Sequence, residues 1–528
     1  KEIVHPGLYV KFPILPLSPQ ESLLVWTTTP WTLAANTAAL VHPDLTYAKV
    51  RTEDGEVLYL LKSRLSEVKK AHEVLEEMPG RALVGLRFRA PFDELPAQDG
   101  VDHRVVAFEE VSEGEGTGIV HTAPGAGKED FAVSKVEGLS VIAPLDEFGN
   151  FVEGFDWLTG RSVFDVADDI YASLKEKGLF YRLEDYSHRY PVCWRCDSEL
   201  VFRLVDEWFI SMDELRDLIA EVTKKVRWVP EFGMQRELDW LLNMDDWMIS
   251  KKRYWGLALP IYECEECGDF EVIGSETELE SRAVEGWEAF EGHSPHRPWI
   301  DEVKIACSTC GARVSRIRDV GNPWLDAGIV PFSTIGYRHD RGYWEEWFPA
   351  DLISESFPGQ FRNWFYALLT MSTVLENREP FRAVFSYALM RDEQGEEMHK
   401  SKGTAIWFED AAERMGVDGM RWVYIKHNPA ANLNFGFGVA DESRRRFMIP
   451  LWNVYSFFTT YADIDRYDPA TSVAPPLAER ADLDRWILSE LNGLVSEVTA
   501  ALDRYAPDAA CRAMEDFVEY LSNWYVRR

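Results

Sequence analysis

"ADLISES" (residues 350–356), "FRNWFYALLTMSTVLEN" (361–377), "RAVFSYALM" (382–390), "RDEQGEEMHKSKGTA" (391–405) and "FEDAAERMGVDGMRWVYIKH" (408–427) follow one another almost without spacers. They read as strand, helix, strand, loop and helix. Apolar runs alternating with helical stretches at these lengths predict parallel strands joined by right-handed crossovers. Ligands of such sheets bind beyond the carboxyl ends of the strands. The loop after "SYALM" falls there, and it carries Lys400 and Lys402.

Towards the N-terminus the pattern changes. From Val4 to about Tyr186 the chain is a series of short β-runs separated by turns, among them "LYVKFPI", "SLLVWTTT", "YAKVRT", "VLYLLK", "HRVVAFEEV" and "GTGIVHTA". Helical stretches such as Phe164 to Lys177 are few, which predicts one mostly-β domain over residues 1–186. Beyond about Ala440 only helices follow. Ile487, Leu491, Leu494, Val498, Leu502 and Tyr505 recur every three or four residues, predicting a helical bundle with one covered face over residues 441–528. The expected fold class is therefore α/β and multidomain. A Rossmann-like parallel sheet occupies residues 187–440, with an inserted β-rich domain before it and a helical bundle after it.

One β-run ends unusually. In "LLVWTTTPWTLAANTA" (residues 23–38), Thr and Trp favour a pleated, half-buried strand, whereas Pro30 belongs at a strand end. Hydroxyls clustered where a strand stops can face a pocket; a solvated strand end is the ordinary alternative.

Six of the seven cysteines fall in pairs of one spacing: Cys193 and Cys196, Cys264 and Cys267, Cys307 and Cys310. Two cysteines three positions apart on a tight turn offer both sulfurs to one ion, and Zn²⁺ takes four such ligands. The pairs at 264 and 307, each followed by glycine, are expected to hold one Zn²⁺ in an insertion spanning about 260–315. The pair at 193 has no second pair within this chain, so either it is reduced and unused or its other half lies before Lys1, the option that fits a truncated N-terminus. Disulfides are the alternative for all three pairs, disfavoured in a cytosolic setting. Cys511 lies in a helical pattern and reads as core.

Acidic residues outnumber basic ones by 89 to 56, for a formal net charge of −33, which argues against a generic nucleic-acid coat. Local basic runs at Lys224 to Trp228, Ser250 to Gly256 and Ser443 to Phe447 leave RNA contact open, with a solvated helix face as the alternative. No apolar run approaches the ~20 residues of a spanning helix, and the first residues lack the layout of a secretory signal. A cytoplasmic protein without membrane contact is expected.

Five motifs, in order, resemble the class I isoleucyl-tRNA synthetases. "VWTTTPWTLAAN" is similar to the family's threonine-rich editing peptide, and "GTGIVHTAPGAGKEDF" to its second editing motif. "DWMISKKRYWG" matches a core stretch whose Arg-Tyr-Trp-Gly points to the isoleucyl branch. "EMHKSKGT" stands where the family has Lys-Met-Ser-Lys-Ser, and "LWNVYSFFTTYADIDRYDP" resembles the opening of the anticodon-binding domain. The resemblance implies that the family's His-Ile-Gly-His motif lies upstream of Lys1 and that the helical domain continues beyond Arg528.

The resemblance also implies an activity and its residues. The expected activity is ATP-dependent attachment of isoleucine to tRNA(Ile), with hydrolytic editing of valyl-tRNA(Ile), by a monomer using ATP, Mg²⁺ and Zn²⁺. Thr27, Thr28, Thr29, Thr32, Asn36, His121 and Asp130 would line the editing pocket, Asp130 meeting the ammonium of the misattached valine. Lys400 and Lys402, on the loop at residues 395–404, would stabilise charge growing on the α-phosphate. Glu355, Gln360 and Trp364 would line the aminoacyl-adenylate pocket. Two departures stand out: Gly359 replaces an aspartate that usually meets the ATP ribose, and Glu397 and His399 replace the first lysine and the serine of the signature loop. A synthetase-derived editing hydrolase, an RNA-binding protein, and valyl specificity are the competing readings.

Overall fold

The computed structural model describes residues 1–16, 21–193, 196–398 and 403–528. They divide into two compact units, Lys1–Asp206 and Glu207–Arg528. The first unit is built on a ten-stranded sheet whose strands are β1 (Glu2–Leu15), β2 (Glu21–Thr27), β3 (Ala38–Val41), β4 (Thr46–Thr52), β5 (Val57–Leu61), β6 (His72–Pro79), β7 (Arg87–Phe88), β8 (Arg104–Ala107), β9 (Ile119–Thr122) and β10 (Phe180–Arg189). Their order is β10-β1-β7-β8-β3-β9-β2-β5-β4-β6, and β1 also pairs with β2. That extra pairing closes β1, β7, β8, β3, β9 and β2 into a barrel, leaving β10 and β6 as the edge strands.

Apolar side chains fill the barrel. Leu8, Val10 and Phe12 of β1, Leu23 and Val25 of β2, and Ala39 and Val41 of β3 are buried together, following the alternation expected of strands with one inward face. The helix α2 (Ala167–Glu176) covers this core with Ile170, Tyr171 and Leu174. The unit reaches past residue 186 because β10 runs antiparallel to β1 from Glu2 opposite Arg189 to Leu8 opposite Leu183. Tyr190 then donates its N–H to the carbonyl of Lys1.

In the second unit the strands Arg227–Val229, Phe381–Tyr387 and Ala350–Ser356 form a parallel sheet in that order. Between the last two in sequence lies the crossover helix Trp364–Glu376, with Phe365 to Thr370 buried. The single helix expected over residues 408–427 is two helices, Phe408–Met415 and Val417–Lys426. The break is at Gly416, whose φ of 78° interrupts helical geometry. The cysteine-bearing segment packs its own small core around Tyr262, Phe290, Val303, Ile305 and Val314.

Helices Ile449–Ile464, Asp482–Asp503 and Pro507–Glu519 follow, but the apolar stripe is covered only in part. Ile487 is buried, whereas Leu491 and Leu502 are exposed, and Ile449–Ile464 buries no residue at all. Periodicity specifies which face is apolar; burial needs a neighbour against that face, and here Pro507–Glu519 covers only some of it. Among the described residues no helix is long and apolar enough to cross a membrane.

One core residue breaks the pattern. Glu237, on the helix Phe232–Asn243, is wholly buried, and among the described residues neither of its carboxylate oxygens has a hydrogen-bond partner. Burial pushes its carboxyl well above the usual carboxylate range. From pH 4.5 upward the unfolded chain therefore sheds a proton that the folded chain keeps, and folding stability falls as pH rises towards the folded pKa. Glu237→Gln removes this dependence. Thermal melts between pH 5 and 8 are expected to show it increasingly more stable than the parent as pH rises, the gap narrowing towards pH 5.

Candidate functional sites

The strand β2 stops at Thr27, and Pro30 opens a short buried 3-10 helix, Pro30–Ala35, for which its fixed φ suits it. The turn between them faces a cleft of about 330 Å³. Thr27, Thr28, His121, Glu129 and Asp130 line it, together with Trp26 and the Glu115–Gly118 turn. The strand register makes the meeting: Trp26 on β2 lies opposite Val120 on β9, so Thr27 and His121 advance together.

Thr32 and Asn36 sit behind His121 and hold its imidazole. Asn36 is fully buried, and its Nδ2 donates to the carbonyls of Ala38 (2.9 Å) and Thr122 (3.3 Å). Those acceptors fix the amide orientation, so Nδ2, sharing its two hydrogens among three acceptors, also faces His121 Nδ1 as donor at 2.8 Å. The hydroxyl of Thr32 donates to the carbonyl of Thr29 at 2.7 Å, leaving Thr32 Oγ1 to accept from His121 Nε2 at 2.8 Å. Both ring nitrogens are thus assigned: Nδ1 accepts and Nε2 donates. Burial also pushes the pKa of His121 down to about 3. Thr29 takes part through its backbone, its N–H donating to Thr27 Oγ1 at 3.1 Å.

Asp130 enters from the first turn of α1 (Lys128–Glu137). Its Oδ2 accepts the N–H of Ala123 at 2.8 Å, while burial raises its pKa against that bond. The carboxylate is desolvated and faces the cleft, an arrangement suited to a cationic ligand. Gly125 permits the approach of this segment, since a Cβ there would lie 1.7 Å from the carbonyl oxygen of Ile142. The wall residues Trp26, Glu115 and Glu129 were not among the residues expected from the sequence, although Trp26 and Glu129 lie inside the two motifs and Glu115 directly precedes the second.

The four cysteines 264, 267, 307 and 310 place their sulfurs within 4.8 Å of one another. Cys264 and Cys310 are 3.6 Å apart, Cys267 and Cys307 3.7 Å. A tetrahedral ion with bonds of ~2.3 Å sets its ligands about 3.8 Å apart, so the cluster fits Zn²⁺ and is too wide for disulfides. Each pair is a knuckle of the same build. Cys264 N–H donates to Asp269 O and Gly268 N–H to Cys264 O; Cys307 N–H donates to Ala312 O and Gly311 N–H to Cys307 O. The residue after each pair is left-handed, Gly268 at φ 73° and Gly311 at 77°.

In the first unit, Cys193 and Cys196 share this backbone hydrogen-bond pattern. Cys193 N–H donates to Ser198 O at 2.8 Å, Asp197 N–H to Cys193 O at 2.9 Å, and Asp197 is left-handed at φ 61°.

At the carboxyl end of the strand Ala350–Ser356, Glu355 Oε1 accepts the N–H of Ser356 at 2.7 Å. The turn Phe357–Gln360 follows, and Gln360 Oε1 accepts the N–H of Trp364, the first residue of the crossover helix, at 3.2 Å. Glu355, Gln360 and Trp364 therefore gather where the strand hands over to the helix. In the same turn, Asn363 is the one group among the described residues within 4 Å of a Cβ added at Gly359. His399, Lys400 and Lys402 lie outside the described residues; the turn leading to them, ending at Glu397, leaves the carboxyl end of the neighbouring strand Phe381–Tyr387.

Comparison with known proteins bears on both units. The family model for tRNA synthetases class I (I, L, M and V) matches residues 27–436, and that for the anticodon-binding domain of tRNA ligase matches residues 484–528. Isoleucine–tRNA ligase of Methanothermobacter thermautotrophicus is 41% identical over 527 residues, covering 99% of this chain and 50% of the relative. Isoleucine–tRNA ligase of Thermus thermophilus is 39% identical over 541 residues, covering 100% and 50%. The chain spans about half the length of the curated relatives it matches. A solved ternary complex of Agrobacterium radiobacter K84 LeuRS with tRNA and LeuAMS covers 98% of this chain and 56% of that one, at 18% identity and a TM-score of 0.42, a likeness too distant to add weight.

The imidazole of His121 is expected to stay neutral, protonated at Nε2, from pH 8 down to about 3. Nitrogen-15 NMR of the ring checks this: a titration near the ordinary histidine value of about 6.5 would contradict the arrangement. Cys307→Ser is expected to lose one equivalent of zinc by elemental analysis and to loosen the core around Tyr262 and Ile305 in amide exchange.

Proposed function

The chain belongs to the class I tRNA synthetase family (I, L, M and V), and from that premise we propose that it is part of a cytoplasmic isoleucine–tRNA ligase. The ligase activates isoleucine with ATP and Mg²⁺, transfers it to tRNA(Ile), and hydrolyses valyl-tRNA(Ile). The first unit, residues 1–206, is its editing domain, 207–440 the second part of its nucleotide fold with the zinc insertion, and 441–528 the start of its anticodon-binding domain. The identity of 41% with a curated isoleucine–tRNA ligase supports the substrate. The observation that carries the editing reading is the single cleft shared by Thr27, Thr28, His121 and Asp130.

Discrimination by size explains why two sites are needed. A pocket that accepts isoleucine admits valine, because one methylene is worth only ~1–3 kcal/mol. A second, smaller chamber that accepts valine and excludes isoleucine removes the error. Its reaction is water attack on an ester that is already activated, so positioning and charge stabilisation suffice and no protein nucleophile is required. Asp130 pairs with the ammonium of the valyl group. His121, neutral and fixed by Asn36 and Thr32, gives the wall a defined shape instead of a charge.

At the synthetic site, carboxylate oxygen of isoleucine attacks the α-phosphate and pyrophosphate leaves. Lys400, assisted by Lys402, meets the growing negative charge. Glu355 binds the substrate ammonium, while Gln360 and Trp364 shape the adenylate pocket. Cys264, Cys267, Cys307 and Cys310 hold a structural Zn²⁺, which ties two knuckles of the insertion together. The knuckle at Cys193 and Cys196 supplies half of a second such site. Glu397 and His399 leave the signature loop one cation poorer than the family pattern, the feature that a hydrolase without ligase activity would share.

Asp130→Ala is expected to leave isoleucine-dependent pyrophosphate exchange intact in the full-length protein while slowing valyl-tRNA deacylation at least about tenfold. Unchanged deacylation would refute the editing assignment. Because Asp130 must be ionised to pair with ammonium, deacylation is expected to fall as pH drops through its raised pKa, with no inflection from His121. Lys400→Ala is expected to slow exchange by more than about tenfold and to spare deacylation; exchange at the parental rate would remove the loop from the mechanism and favour the hydrolase.

A further inference from the structure

The turn after the strand Phe381–Tyr387 is fastened by contacts that none of the roles above uses. Met390–Arg391 pairs in parallel with Leu433–Asn434. Leu433 N–H donates to Leu389 O at 2.9 Å and Phe435 N–H to Arg391 O at 2.8 Å. Asp392 then folds the chain back, its Oδ1 accepting the N–H groups of Gln394 at 3.0 Å and Glu396 at 2.8 Å. Arg391 Nη1 closes the turn by donating to Gly395 O at 2.8 Å.

This turn brings Glu393 to the start of the helix Phe437–Ser443. A single oxygen, Glu393 Oε1, accepts the backbone N–H groups of Gly438 at 2.6 Å and Val439 at 3.2 Å. These N–H groups have no partner within their own helix turn, and a carboxylate is favoured there. The approach depends on glycine. A Cβ at position 436 would lie 2.1 Å from Glu393 Cγ, and one at 438 would lie 2.9 Å from Oε1. The helix is itself anchored: Phe435 and Ala440 are buried with Met415, Met420 and Val423, and the Arg414 guanidinium lies 3.5 Å over the ring of Phe437.

We propose that Glu393 is a positioning residue for amino-acid activation, whose carboxylate latches the stem of the 391–397 turn onto the helix Phe437–Ser443. Met398 leaves the latched turn and leads directly to Lys400, so the latch gives the signature loop a fixed base. The same contact ties the loop mechanically to the helices that follow. An exposed carboxylate bonded to two backbone N–H groups adds little to global stability. Its effect is instead on the freedom of the turn it holds. The inference rests on the reading of Lys400 as the cation of the adenylation step.

The test uses the full-length protein with Glu393→Ala, Gly436→Ala, Glu393→Gln and the pair Glu393→Ala/Gly436→Ala, alongside Lys400→Ala. Loss of the latch is expected to lower kcat of isoleucine-dependent pyrophosphate exchange by about ten- to a hundredfold, since misplacement on the ångström scale is that costly. The KM for isoleucine should stay within about twofold, because substrate contacts are untouched. Gly436→Ala should match Glu393→Ala, and the pair should be no worse than either, the clash vanishing with the carboxylate. Glu393→Gln should keep parental activity, because one carbonyl oxygen can accept both bonds. Amide exchange should rise over residues 391–398 in Glu393→Ala and deacylation should not change. Parental kcat in Glu393→Ala while Lys400→Ala is impaired would sink the latch alone. Parental exchange in Lys400→Ala would instead sink the reading beneath it. Glu393→Gln as impaired as Glu393→Ala, or equal loss of deacylation, would also overturn the latch.

Discussion

Strand β1 pairs with three others, β10, β2 and β7, and the geometry of the first unit depends on that closure. Leu8 lies opposite Thr27 across β1 and β2, Trp26 opposite Val120 across β2 and β9, and Ala39 opposite His121 across β3 and β9. These registers put a threonine and a histidine distant in sequence onto one wall. A slip of one residue in either strand would turn its own member of the pair to the other face, so the packed interior of the barrel and the composition of the cleft are set by one constraint.

The cleft then owes its chemistry to burial. Desolvation keeps the His121 ring neutral and raises the Asp130 carboxyl, and the Asn36 amide gives the ring a single hydrogen-bonding role. Glu237 is the instructive contrast. It too is a desolvated carboxyl, but it is wholly buried on the helix Phe232–Asn243, whose Leu241 packs into the core of the second unit. A raised carboxylate pKa marks a candidate site only where the group also opens on a cavity.

In the second unit the carboxyl ends of two parallel strands carry the candidate substrate-binding residues on one side and the signature turn on the other. Glu355 and Gln360 are positioned by backbone N–H groups of the turn and the crossover helix. The turn at 391–397 is positioned by backbone N–H groups of a later helix. Both devices place a side chain through the main chain of a neighbouring element, which costs the site little freedom to vary its other residues.

The order of elements was legible in the sequence, because strand alternation, helical periodicity and the cysteine spacing are local properties of the chain. So were the two motifs around Thr27 and Asp130 and the knuckle pairs at 264 and 307. Tertiary structure alone decided that β1 closes a barrel and that Thr32 and Asn36 stand behind His121. It alone decided that Leu491 and Leu502 stay exposed, and that Glu393 reaches Gly438. The physical reason is the same throughout: periodicity records which face of an element is apolar or polar, but the identity of the group against that face is fixed only by strand register and packing between segments far apart in the chain.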